Sequence, residues 1–179
     1  MENKIQPSLS AFHIPRWNEL PTIELYLDQV VKLINSILAP YINFNLDSKD
    51  ESELLTKTMI NNYVKNNLIE PPIKKQYSRV QIAKLFAICV LKQVYSMQDI
   101  KCLIDMTLDY SRIEIAYNQF CKLFEQALIC TYTKKDFIDN RSSRRDSMYL
   151  LKSVLLSCSY KIYSKNVVIN YNSEEAHED

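Results

Sequence analysis

Leu68-Ile69-Glu70-Pro71-Pro72-Ile73-Lys74-Lys75-Gln76-Tyr77-Ser78-Arg79 interrupts a chain whose apolar residues otherwise recur at helical spacing. The paired prolines fix φ, remove two backbone donors and push the preceding residue into extended conformation. Ser78 and Gln81 have the spacing of a capping box, so a helix starts there and runs to about Val94. Between Pro72 and Ser78 only a short turn or a two-stranded wing fits. On the N-terminal side, Thr56 is placed to cap a short helix over Lys57 to Asn66. Its inward face is Ile60, Tyr63 and Val64, which leaves Thr56, Lys57, Asn61, Asn62 and Lys65 outside. Asn66-Asn67 supplies the left-handed exit that glycine would ordinarily make.

Charge gathers around this interruption. Residues 56–104 hold eight Lys/Arg against Glu70 and Asp99, whereas the whole chain carries a net charge of +1. The first 55 residues have 4 basic and 8 acidic side chains, and residues 105–179 have 10 and 11. One basic module on an acidic or balanced frame points to a polyanion-binding face.

The remaining periodicity is helical throughout, which predicts a mainly helical, all-α fold class. Thr22 caps a helix to about Ala39, stopped by Pro40, with Ile23, Leu27, Val30, Ile34 and Ile37 along its apolar seam. Ser96 and Asp99 cap a helix that turns Met97, Ile100, Leu103 and Ile104 inward. Ser111 and Glu114 have capping-box spacing ahead of the stripe Ile113, Ala116, Tyr117, Phe120, Phe124 and Leu128. Ser143 to Asp146 opens the last helix, in which Met148, Leu151, Leu155, Cys158 and Ile162 recur. That helix is widened by Tyr149, Leu150, Val154 and Leu156, so it needs burial on more than one side, and a second subunit is a natural way to supply it. Residues 1–21 read as an extended leader with 1–10 unstructured, and Trp17 anchors a strap between Phe12 and Pro21. Residues 43–53 read as a loop and 170–179 as a disordered acidic tail. The intended division is 22–108 for the basic module and 109–169 for dimerisation or an effector.

The 179 residues contain no glycine. Phosphate-cradling loops, dinucleotide turns and the glycine-flanked serine elbow all need it, so nucleotide-dependent and hydrolase chemistry is disfavoured. Turns are expected to use Asn and Pro instead. Cys89, Cys102, Cys121, Cys130 and Cys158 are odd in number, lack C-x-x-C spacing and fall in apolar patterns, where reduced cysteine packs as a small hydrophobe. With His13 and His177 at opposite ends of the chain, no metal or nucleophilic set stands out. The expectation is no enzyme, no cofactor, no membrane contact and a cytoplasmic location.

The order helix, Leu68-Ile69-x-Pro71-Pro72, basic turn ending at Tyr77, helix, then Tyr95-Ser96-Met97-Gln98-Asp99-Ile100 resembles the winged helix-turn-helix of MerR-type regulators. Tyr63 matches as well, and Asn67 stands where that family has glycine. Over nearly its full length the chain also resembles an uncharacterised bacterial family, the domain-of-unknown-function family 1836. Ile14-Pro15-Arg16-Trp17-x-x-Leu20-Pro21 and Met59-Ile60-Asn61-Asn62-Tyr63-Val64-Lys65 carry that likeness. The MerR resemblance implies a homodimer that binds double-stranded DNA through Thr56, Lys57, Asn61, Asn62, Lys65, Lys74, Lys75, Tyr77 and Arg79. Asn61 and Asn62 would face bases and the cations would face phosphates. The aromatic residues of 111–131 and 144–165 then either pack a core or line a small-molecule effector pocket. The alternative is a protein-interaction module on the same fold that has lost DNA contact.

Overall fold

A computed structural model of the chain describes residues 9–42, 53–137 and 146–175. Expectations for residues 1–8, most of the 43–53 loop, Ser143, the side chain of Met148 and the end of the acidic tail fall outside the described residues. The elements are a 3-10 turn at Leu9–Ala11, β1 (Leu25–Tyr26), α1 (Leu27–Ile42), α2 (Lys57–Lys65) and β2 (Gln76–Tyr77). Then follow α3 (Arg79–Leu91), α4 (Met97–Tyr110), α5 (Ile113–Thr133) and α6 (Asp146–Glu175). The mainly helical expectation holds. The β content described is one antiparallel pair, Leu25 opposite Tyr77 and Tyr26 opposite Gln76.

Three helix starts follow the expected caps. The Thr56 hydroxyl accepts the Met59 N–H at 3.2 Å, Gln81 Oε1 accepts the Ser78 N–H at 2.7 Å, and Ser96 accepts from Asp99 at 3.2 Å. α2 ends in a Schellman motif: Leu68 N–H reaches Tyr63 O at 2.9 Å and Asn67 N–H reaches Val64 O at 3.0 Å. Asn67 sits at C′ with φ 56°, the left-handed position that Asn tolerates better than most residues.

Four expectations need correction. α1 begins at Leu27 rather than after Thr22, because Leu25 and Tyr26 are drawn into the strand pair and Gln29 caps Tyr26 N–H at 2.9 Å. Ile23 is consequently exposed at 71% rather than part of the seam. α1 also runs through Pro40 to Ile42, since a proline in the last turn interrupts little of the ladder. The Ser111–Glu114 box does not form. α4 extends to Tyr110, Ser111 stays extended, and Arg112 becomes the N-cap without a side-chain bond, so Glu114 stands one position too early. Finally, α6 continues to Glu175, so the first residues of the expected tail are helical.

One buried cluster draws residues from the strap and all six helices. α3 lies at its centre, packed against α1, α5 and α6, and the most extensive helix pairing is α5 with α6. Phe12, Ile14 and Leu20 of the strap are buried, and Trp17 lies half-buried edge-on to Tyr117 at 6.5 Å. Glu125 of α5 clips the strap down. It accepts the Ile14 N–H and the Arg16 Nη1–H, each at 2.7 Å, and a second guanidinium bond on its other oxygen. The hydrogen bond to Glu125 raises the Arg16 pKa and outweighs the effect of its partial burial. The expected strap is therefore a fixed part of the core.

Candidate nucleic-acid interface

α2 is held from behind by Ile60 and Tyr63, both buried, and from its N-terminal side by Asn35 of α1. That amide brackets Leu55, donating to its carbonyl at 2.8 Å and accepting its N–H at 2.9 Å. Lys57, Asn61, Asn62 and Lys65 consequently face solvent, as their spacing predicts. Thr56 is half-buried and its hydroxyl is occupied as the helix cap.

Beyond the prolines the chain makes a two-residue hairpin. Ile73 and Gln76 exchange both backbone bonds, at 3.1 and 2.9 Å, around Lys74 and Lys75. Both lysines have positive φ, 49° and 65°, as a type I′ turn demands of its two central residues. Asn-Gly is the residue pair that suits this turn. A left-handed residue with a Cβ costs about 1–2 kcal/mol. Among the described residues, Lys74, Lys75 and Lys134 take three of the four left-handed positions, so the expectation that Asn and Pro would make the turns holds only at Asn67. Both hairpin lysines are exposed.

The local cation excess is partly spent within the fold. Lys57 pairs with Asp28 of α1 at 2.6 Å, both side chains being more than half exposed. Lys84 pairs with Glu70 and Lys101 with Asp105, each at 2.6 Å. Lys92 turns inward to donate to Leu54 O at 2.5 Å, and burial lowers its pKa. No acidic side chain among the described residues pairs with Lys65, Lys74 or Lys75. Since Tyr26 pairs with Gln76 and Asp28 follows two residues later, the base of the hairpin and the start of α2 meet beside the first turn of α1.

Two expected contact residues are placed otherwise. Tyr77 is 2% exposed, its ring inside the core behind β2, so it offers no surface to a ligand. Arg79 is half-buried: its Nε donates to Pro21 O at 3.2 Å and its guanidinium lies 5.6 Å from the Trp17 ring. It tethers the strap to α3. The partners Asp28, Asn35 and Pro21 carry no linear signal, because each lies some 20 residues or more from the residue it holds. Cys89, Cys121 and Cys158 are buried, with burial pushing each thiol up to about 12. Cys102 is exposed and Cys130 half-buried, so core packing describes three of the five cysteines.

A second feature opens on the other side of α3 and α4. A groove of about 650 Å³ runs between α3, α4, α5 and α6, walled by residues such as Leu103, Met106, Ile115, Leu123 and Leu150, with Lys84 and Lys122 among its lining. No His/Cys/Asp/Glu cluster suited to a metal occurs among the described residues. Among the described residues no helix is long and apolar enough to cross a membrane.

The geometry defines a helical protein in which a short polar-faced helix and a lysine-tipped hairpin are mounted on a shared core. The chain belongs to the family described as Domain of unknown function (DUF1836), which matches residues 15–120, more than half its length. The match runs from the strap into α5 and leaves α6 outside. No curated protein and no solved structure matches the chain.

Proposed function

We propose that this protein is a cytoplasmic DNA-binding regulator of MerR-like winged-helix type, acting as a homodimer. Residues 22–108 carry the DNA contact and 109–169 carry association and effector binding. The observation that carries this reading is the strained lysine pair at the hairpin tip, next to the exposed face of α2. Nothing in the fold requires lysine at two left-handed positions, and strain of that kind collects at functional sites. Asn61 and Asn62 would meet base edges in the major groove, where asparagine pairs with adenine N6 and N7. Lys65, Lys74 and Lys75 would meet phosphates, and Lys57 would exchange Asp28 for one, an exposed pair being worth at most about 1 kcal/mol. Tyr77 and Arg79 act only by supporting this face, and the 650 Å³ groove suits a largely apolar effector.

A titration of salt against affinity for random duplex DNA tests the reading. Binding should weaken roughly 100-fold between low and physiological salt, and Lys74→Asn/Lys75→Gly should flatten the log–log slope by about two. The second reading, a protein-interaction module, is favoured by the internal neutralisation of Lys57, Lys84 and Lys101. An absence of DNA binding at low salt by the full chain selects it.

A further inference from the structure

We propose that the outward stripe of α6 is the surface on which a second copy of this chain docks, helix against helix. This deepens the homodimer reading by naming its interface. α6 buries Val154, Leu155, Cys158 and Ile162 against the core. On the opposite side stand Tyr149, Leu156, Tyr160, Tyr163 and Val167. At 100° per residue they fall within a sector of about 60°. Tyr149 is 76% exposed, Tyr160 59% and Val167 50%. Leu156 and Tyr163 are half-buried at the edge of the stripe, and the Tyr163 ring is braced edge-on by Tyr132 of α5 at 5.2 Å.

Two properties select a second copy as the occupant. From Leu156 onward the separations alternate four, three, four, the spacing of a seam between two helices rather than of a solvated face. The stripe is also poor in charge: the exposed Ser153 and Ser164 flank one edge, and among the described residues the half-buried Lys152 at the other edge is the charged residue nearest to it. A solvent-facing stripe ordinarily bears charged residues. The five members of the stripe offer no charge to nucleic acid or a charged partner, whereas identical uncharged stripes meet in an isologous contact without a complementary charge. Tyrosine is enriched in interface cores, and the small serines leave room for the rings of the facing copy. From Tyr149 to Val167 the stripe spans roughly 27 Å, about five turns. Tyr149, Leu156, Tyr160, Tyr163 and Val167 follow one another along it with no break by proline.

Sedimentation velocity of the full chain across a dilution series tests this, with Tyr160→Lys/Val167→Lys as the variant. The wild type should be dimeric, and the variant should dissociate at concentrations roughly 100-fold higher, because lysines within a desolvated seam lose packing and must be buried or splayed. Its far-UV signal and melting curve at monomeric dilution should match the wild type. A second measurement does not depend on that variant folding. The thiol introduced by Tyr160→Cys, in a Cys102→Ser background, should be protected from labelling in concentrated solution and labelled on dilution. An undiminished dimer in the lysine variant, with the introduced thiol labelled at every concentration, overturns the surface and leaves the homodimer standing. A wild type that sediments as a monomer throughout overturns both, and leaves DNA contact to be judged by the salt titration.

Discussion

α3 and α6 both carry apolar residues on more than one face, yet they end in different environments. From Gln81 to Leu91 every side chain of α3 is buried except the half-buried Lys84 and Ala87. α1, α5 and α6 enclose it within the chain, and the strap leans on it through Trp17, Tyr117 and Phe86. α6 packs on α5 and α3 along one side and turns Tyr149, Tyr160 and Val167 to water on the other. Hydrophobic circumference therefore states how much surface must leave water and is silent about the neighbour that covers it. For α3 that neighbour lies in the same polypeptide, and for α6 we assign it to another copy.

Mutational cost is the most direct way to break this comparison. Phe86→Ala in α3 should destabilise the fold by about 3–5 kcal/mol through the cavity it leaves, measured by urea unfolding. Glu125→Ala should cost roughly 3 kcal/mol, because the guanidinium of Arg16 and the Ile14 N–H lose their acceptor in a partly buried setting; the strap would then cease to shield α3, and Trp17 fluorescence would report its release. At the entrance to α3, Lys74→Asn/Lys75→Gly should raise stability by about 1–2 kcal/mol by relieving left-handed strain while weakening DNA binding, a divergence that a purely structural turn would not produce. Glu70→Gln sharpens the picture at the polar edge of α3. Burial pushes the Glu70 carboxyl up, but the hydrogen bond from Lys84, the bond from its own backbone N–H and the Lys84 charge together outweigh it, and the net shift is down. A lowered carboxylate contributes stability above its unfolded pKa, and that contribution is lost as pH falls through its folded pKa. The penalty should thus be under about 1 kcal/mol at neutral pH, given the exposure of Glu70, and should vanish in acid. Smallest of all, Tyr160→Ala on the outer face of α6 should change monomer stability by less than about 0.5 kcal/mol. A cost comparable to Phe86→Ala would mean that this stripe is already covered within one chain.

Signals confined to a few consecutive residues were legible from the sequence. The caps at Thr56, Ser78 and Ser96, the left-handed exit at Asn67 and the inward stripes of α2 and α5 all depend on residues within four positions of each other. What was not legible depends on distant partners. A strand of two residues at Leu25–Tyr26 has no periodicity of its own and exists because β2, about fifty residues later, pairs with it. The Ser111 box failed through the length of α4, which shifted the start of α5 by one residue. At the candidate site, the outward set Lys57, Asn61, Asn62 and Lys65 followed from helical spacing, whereas the occupation of Tyr77 and Arg79 by the core and the strap did not. Spacing says that a cation is on the surface; only tertiary structure says whether Asp28 stands beside it.

The clip between Ile14 and Glu125 also orders events in time. The two residues are 111 positions apart, so during synthesis the strap emerges on the order of ten seconds before the carboxylate that fastens it exists. Until then Phe12, Ile14 and Trp17 have only an incomplete surface to rest on. The strap is thus made well before the surface that holds it, and its aromatic side chains stay exposed on the nascent chain until α5 arrives.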